Sequence, residues 1–352
     1  MAMANVKGIY PLAVLLALVT TTVFTTKTMA SDRIEGQFIV FGTIVSVTVT
    51  DADNKQARQA ISELEILFND LHHQLHPWLP GPLADLNRNI KAGETYKADQ
   101  VTLELIEQSK SLSLRSDGRF NPAIGELVDL WGFHLPPEQW QPPSALQIST
   151  LLSHMPKTSN IQIQGTSVFS SNPNVKLDFG GIAKGYAIQK GLNVLLKNGI
   201  SNAMINAGGD LGVIGQAKIQ KPWRVAIRAP QGSGLVASLD IRDGEVMATS
   251  GNYERFHSYQ GVEYSHLIDP LNGMPTNNWT SVTVLSDNGA LSDAAATALA
   301  ISDIEDWQRI AHQMEIRDAL LIDSNGKVHM TDSMSKRILT IRQHQVAVQT
   351  TR

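Results

Sequence analysis

Cysteine is absent from all 352 residues. With no thiol, disulfide staples, thiolate zinc sites, iron–sulfur clusters, cysteine nucleophiles and lipoprotein acylation are excluded together. Positive charge is not in excess either: 29 Lys and Arg stand against 33 Asp and Glu, a formal net charge of −4. Such a chain lacks the basic footprint that holds a phosphate backbone by counterion release, so no nucleic-acid partner is expected. Beyond the N-terminal leader, no apolar run approaches the ~20 residues that a membrane-spanning helix needs. Internal repeats and low-complexity tracts are missing as well. What is there in quantity is apolar content, 42% of the chain. That suits one large domain or two ordinary ones and rules out disordered, collagen-like and coiled-coil readings.

Residues 1–30 differ from the rest. They hold no acidic residue, carry Lys7 ahead of the apolar run Pro11 to Phe24, and close on Thr28-Met29-Ala30 before Ser31. This pattern reads as a secretory signal peptide cut after Ala30, with an uncleaved anchor as the alternative. Removing Lys7 and Lys27 would take the formal charge from −4 to −6. The expected location is the periplasm, with inner-membrane association if the segment is retained.

Further along, Phe38 to Thr50 alternates apolar residues as a strand does, with Gly42 as its bend. A period of 3.6 predicts a helix from about Lys55 to Leu75, apolar at Ala60, Leu64, Leu67, Phe68 and Leu71. Pro77 to Pro82 is an irregular loop, Val101 to Leu114 another helix, and Pro136, Pro137, Pro142 and Pro143 mark a surface excursion. The middle reads as a strand at Val175–Asp178, a glycine turn and a helix at Ala183–Lys197, then a strand at Ala203–Asn206. Strands follow at Trp223–Arg228, Leu235–Ile241 and Ser281–Leu285, with a small-residue helix from Ser292. The mixture predicts an α+β or α/β body.

Three stretches carry chemistry. In Leu177-Asp178-Phe179-Gly180-Gly181-Ile182-Ala183-Lys184-Gly185, an acid precedes two glycines and a helix with a lysine in its first turn. Glycines let phosphate or metal approach the main chain, and a helix N-terminus with a lysine favours anions. An ordinary strand-to-helix turn with a solvated lysine would look the same. In Ser292-Asp293-Ala294-Ala295-Ala296-Thr297, Asp293 and Thr297 stand four apart on one helix face, an oxygen pair suited to Mg²⁺. The plainer account has Asp293 favouring a helix N-terminus while Thr297 packs. Finally, His266 ends a short strand before the turn Asp269-Pro270-Leu271-Asn272-Gly273, a position suited to a general base. His72, His73 and His76 cluster without a third-ligand signature for zinc.

Taken in order, Phe41-Gly42-Thr43-Ile44-Val45-Ser46-Val47, residues 118–133, 177–188, 206–215, 248–256, 264–275 and 292–300 make the chain resemble the ApbE family of FAD:protein FMN transferases over about residues 36–330. The resemblance implies an α+β fold with a central, largely antiparallel sheet flanked by helices, a T-fold-like core plus an α/β part. The family domain would be residues 31–335, with 336–352 as a C-terminal tail. It further implies an enzyme that uses Mg²⁺ to move FMN from its substrate FAD to a Ser or Thr hydroxyl of an acceptor flavoprotein, releasing AMP. Membrane redox-pump subunits would be typical acceptors. By the same resemblance, Asp293, Thr297 and the Gly181 carbonyl would hold Mg²⁺, and His266 would be the catalytic base. Phe41, Trp78, Phe120, Asn121, Pro122, Asp178, Lys184, Leu267 and Ile268 would contact FAD. Ala296 stands where the family often has another acid, and Trp78 where it commonly has a tyrosine. Two other readings use the same residues: a Mg²⁺-dependent FAD pyrophosphatase giving FMN and AMP, and a non-catalytic periplasmic flavin carrier.

Overall fold

The computed structural model describes residues 33–230, 234–341 and 349–351. The leader pattern of residues 1–30 lies outside them.

The alternating stretch near the start is longer than expected and folds back on itself. β1 (Ile34–Val40) and β2 (Thr43–Val49) form an antiparallel hairpin from Val40↔Thr43 to Ile34↔Val49. Phe41 and Gly42 make its two-residue turn, with φ of 54° and 69°. Two positive φ values match the primed turn whose twist suits a tight hairpin, and they place a non-glycine residue where its side chain is strained. α1 (Asn54–Leu75) follows as expected. Asp53 caps it by accepting from the Lys55 and Gln56 amides, and Ala57, Ala60, Leu64, Phe68, Leu71 and Leu75 form the buried stripe. Each Leu or Phe fully removed from water there contributes about 1.5–3 kcal/mol.

α2 (Pro82–Ala92), β3 (Tyr96–Lys97), α3 (Gln100–Arg115), α4 (Gly125–Trp131), α5 (Ala145–Leu152), β4 (Ile161–Gln164) and β5 (Ser167–Ser170) come next. The proline excursion before α5 runs on the surface, but Trp140 within it is buried against Trp131, Phe133 and Tyr264. Val175–Asp178 is not a sheet strand. It is an extended segment with one parallel bridge, Ile124↔Lys176. Its main-chain groups bond to residues 122–125 and to the Asn87 side chain, which accepts from Leu177 N–H at 2.7 Å and donates to Leu177 C=O at 2.9 Å. No neighbouring strand is needed to satisfy it.

Then follow α6 (Ala183–Lys197), β6 (Ala203–Ala207), β7 (Asp210–Ile214), β8 (Trp223–Arg228), β9 (Leu235–Ile241), β10 (Val246–Gly251), β11 (Phe256–Tyr259), β12 (Val262–Ser265) and β13 (Trp279–Ser286). The chain continues with α7 (Gly289–Ile301), α8 (Trp307–Gln313), β14 (Asp318–Asp323), β15 (Val328–Thr331), α9 (Asp332–Arg337), β16 (Ile338–Ile341) and β17 (Gln349–Thr351). Among the described residues the main sheet has nine strands in the order β1-β2-β6-β7-β10-β13-β14-β15-β17, antiparallel except for the β15–β17 pair. The fold is therefore α+β with a largely antiparallel sheet. The segment from 336 onward, set apart above as a tail, supplies β16 to the β16-β9-β8 sheet and β17 to the main sheet.

Helices α1, α6 and α7 pack with the main sheet over the larger core, which holds Leu64, Phe68, Ile188, Ile205, Val282 and Ala295. The β16-β9-β8 sheet builds a second core from Trp223, Val225, Leu239, Met247 and Leu320. α6 and α7 meet main chain to main chain: a Cβ on Gly185 would lie 2.0 Å from the Gly289 carbonyl oxygen. Only glycine permits that approach.

Candidate active site

One cavity of about 1210 Å³ is lined by every residue singled out above as catalytic, flavin-contacting or metal-holding. Residues 41, 78, 120–122, 178–181, 183–184, 266–268, 293 and 297 come from separate loops and elements, and the fold brings them to one cavity.

At its aromatic end, the strained turn holds Phe41 half-buried against Phe68 and His72, with ring centroids 5.9 and 5.5 Å apart. Trp78 is placed by the end of α1. His76 Nδ1 accepts from the Trp78 and Leu79 amides at 3.2 and 3.0 Å, and the indole N–H donates to Asp129. His76 is thus a turn-forming acceptor. Burial, then the neighbouring imidazole, lowers the pKa of both His72 and His76. Among the described residues no group of three or more His, Asp or Glu is placed to hold a metal. Trp78 stacks on His134 at 4.9 Å and 28°. Phe120 and Asn121, both buried, line the same cavity, and Asn121 spends both ends of its amide on the main chain of Pro156 and Ala123.

Another part of the cavity is polar. Asp178 is set by its own N–H donating to Pro122 C=O at 2.8 Å, and its carboxylate accepts from Gly180 N–H at 2.8 Å. Burial raises its pKa. α6 has no side-chain cap of its own. Asp293, from α7, supplies one across the glycine contact: its Oδ2 accepts from Gly185 N–H at 2.9 Å. A carboxylate at a helix N-terminus gains from the orphan amides and the dipole. α7 starts at Gly289 with Asn288 as N-cap, three residues earlier than expected. Asp293 therefore sits in the second turn, 4% exposed, and the plainer account of it as an N-terminal residue of its own helix fails. Burial raises its pKa to about 6, against the pull of Lys184. Thr297 lies one turn on, and a Cβ on Gly181 would come within 2.9 Å of its hydroxyl oxygen. The missing side chain leaves room between the Gly181 main chain and the Thr297 hydroxyl, and the Asp293 carboxylate lines the same cavity. These are hard oxygen donors, and they fit Mg²⁺ by type.

Asp210, which sequence reasoning left without a role, completes this part. It is 1% exposed, pairs with the Lys184 ammonium and accepts from Thr249 N–H at 2.8 Å. Burial opposes the charge on Lys184, but Asp210 and Asp293 outweigh it and hold its pKa above the ordinary lysine value. Glu254, also missed, lines the cavity from the loop after β10. Crowding by the wall and the charges of Asp210 and Asp293, with Lys184 opposing, push its carboxyl up to about 7. The sequence signal for Asp210 was its place in a glycine-rich block, where Gly208 and Gly209, with φ of 66° and 110°, turn the chain just before it.

His266 follows β12. Its Nδ1 faces the Arg255 carbonyl at 3.0 Å. A carbonyl only accepts, so Nδ1 carries the proton and Nε2 keeps its lone pair. Enclosure in the cavity wall, reinforced by Arg255 and Lys184 and only partly offset by the Arg255 carbonyl, lowers its pKa to about 4. The imidazole is neutral at physiological pH and able to take a proton. Leu267 and Ile268, both buried, continue the wall.

A model of the ApbE family matches residues 41–321. A curated relative from Rhodobacter capsulatus, an FAD:protein FMN transferase, is 42% identical over 313 residues. That match covers 88% of this chain and 59% of the relative, so the chain spans about three-fifths of the relative's length. A Vibrio cholerae FAD:protein FMN transferase is 27% identical over 277 residues, 78% of this chain and 81% of its own. Among solved structures, an ApbE protein from Thermotoga maritima superposes with a TM-score of 0.79 at 27% identity, covering 87% of this chain and 99% of that one. The flavin transferase ApbE from Vibrio cholerae gives a TM-score of 0.76 at 25% identity, covering 87% and 99%.

Proposed function

Because this chain belongs to the ApbE family, we propose that it is an FAD:protein FMN transferase acting on a Ser or Thr hydroxyl of an acceptor flavoprotein. The observation that carries the reading is the meeting, in one cavity, of the Gly181–Asp293–Thr297 oxygen set, the Lys184 ammonium and a neutral His266. The acceptor hydroxyl oxygen attacks the phosphorus of the FMN half of FAD. Its proton passes to His266 Nε2, a new phosphoester bond forms, the pyrophosphate bond breaks, and AMP leaves with the electron pair. General-base assistance of this kind contributes about 10²–10⁴-fold. The Asp293 carboxylate, the Thr297 hydroxyl and the Gly181 carbonyl would hold Mg²⁺, which would neutralise charge on the diphosphate. Lys184, kept charged by Asp210, adds a second cation there. Ala296, where the family often has an acid, leaves Asp293 as the carboxylate of that set and suggests weaker ion binding.

The aromatic end, with Trp78 and Phe41, suits the flavin ring by stacking. The leader pattern supports work in the periplasm on an exported or membrane redox subunit. Co-incubation with FAD, Mg²⁺ and candidate acceptors, followed by intact-mass measurement, tests the reading. A covalent FMN adduct with matching AMP release is expected. AMP without adduct in the presence of every acceptor would make the protein a pyrophosphatase, and FAD left intact would make it a carrier.

A further inference from the structure

β8 meets the cavity in an informative way. Five consecutive residues, Arg224 to Arg228, line it. Successive side chains of a strand point to opposite faces. In β8, Trp223, Val225 and Ile227 are buried in the second core while Arg224 and Arg228 are exposed. A cavity touched by both alternating sets meets the strand along its edge. That edge is open: β8 pairs with β9 on one side and with no second strand among the described residues. In an antiparallel pair every second residue turns its N–H and C=O away from the partner. The cavity wall therefore presents a row of main-chain donors and acceptors up to about 14 Å long.

Such a row is a template for another strand. A dinucleotide has few groups at the spacing of a main chain, whereas an extended peptide satisfies all of it. The cavity volume of about 1210 Å³ also exceeds the ~300–1,000 Å³ typical of a site for one small molecule. Ala226 lies between the two arginines and keeps the approach clear, while Arg224 is drawn onto the sheet by Asp240 at 2.9 Å. We infer that the acceptor binds by adding its Ser- or Thr-bearing segment as an extra strand on the open edge of β8, main chain to main chain, so that the hydroxyl side chain projects into the cavity toward His266. The inference rests on the transferase reading and adds how the second substrate is recognised: by an extended backbone as well as by side chains.

The test uses an acceptor shown by mass to carry the FMN adduct and a synthetic peptide copied from its modified segment. N-methylating the peptide's amides one at a time should lower FMN transfer about ten-fold at alternate residues, the loss of one good hydrogen bond each, and leave the intervening ones nearly unchanged. A period of two is the signature of strand addition. Tolerance at every position, or loss only beside the hydroxyl residue, overturns the inference. Amide hydrogen exchange at residues 224–228 of the full chain should slow with the intact acceptor and not with FAD alone. Protection by FAD alone gives the edge to the dinucleotide, and unchanged exchange with a functioning acceptor also overturns strand addition. Failure to find an adduct on any acceptor refutes the transferase reading itself, a separate outcome.

Discussion

Asp293→Asn separates the cost of the buried carboxylate from its use. The side chain is 4% exposed, and burial raises its pKa from 3.8 to about 6 even though the Gly185 and Lys184 amides and the Lys184 ammonium favour the charge. A group whose folded pKa lies above its unfolded one binds more protons in the fold, so its stability contribution falls as pH rises through that window. The penalty is absent below about pH 3.8 and complete above about pH 6, where it amounts to at most about 3 kcal/mol. The amide oxygen of Asn can still accept from Gly185 N–H, and the helix-dipole benefit of a charge there is only about 0.3–1 kcal/mol. Burial therefore wins. In urea melts with EDTA at pH 8, the variant should be more stable than wild type by about 1–3 kcal/mol, with the difference shrinking toward pH 4. Mg²⁺ should then stabilise wild type, by about 2.7 kcal/mol at a hundred-fold excess over its Kd, and leave the variant unmoved. FMN transfer should be lost in the same variant. Lower stability of the metal-free variant at pH 8 would refute the balance drawn here, and equal stabilisation of both proteins by Mg²⁺ would move the ion to another site.

His266→Ala should keep FAD binding and lose transfer by about 10²–10⁴-fold, checked by single-turnover adduct formation and FAD titration. Because enclosure by the cavity wall lowers the His266 pKa to about 4, the acid limb of kcat/KM should fall below pH 5; a limb near 6.5 would argue that the imidazole is not enclosed in this way. Gly185→Ala puts a Cβ 2.0 Å from the Gly289 carbonyl, so it should cost more than about 3 kcal/mol of stability in chemical denaturation, and an unchanged midpoint would refute the helix contact. Trp78→Ala should weaken FAD binding by roughly 1–3 kcal/mol, while Trp78→Phe keeps most of it, read by flavin fluorescence quenching.

Much of this was written locally. The stripe Ala60, Leu64, Leu67, Phe68 and Leu71 announced α1, alternation gave β8 and β9 their bounds, and the glycine pair 180–181 announced the turn into α6. These signals survive in a single sequence because helix and strand periodicities act between near neighbours. Two local readings misfired for a physical reason. Val175–Asp178 has strand-like residues, yet Asn87 and the 122–125 main chain satisfy its hydrogen bonds. The stretch from Phe38 to Thr50 does bend at Gly42, but it holds two paired strands and not one, because Phe41 beside it also takes a positive φ that a non-glycine side chain disfavours.

The site was named from the resemblance of ordered motifs, and spacing alone left Asp293 and Thr297 ambiguous. Packing decided their setting. Asp293 caps a helix 108 positions back in the chain at Gly185, and Lys184 pairs with Asp210, which stands in a different block. No period relates residues so far apart, since their approach depends on two helices touching where both lack side chains. Local chemistry set which elements form and which residue types face inward. The protonation of His266, the burial of Asp293 and the open edge of β8 depend on how those elements close around a cavity, because desolvation and long-range charge exist only once the chain has folded.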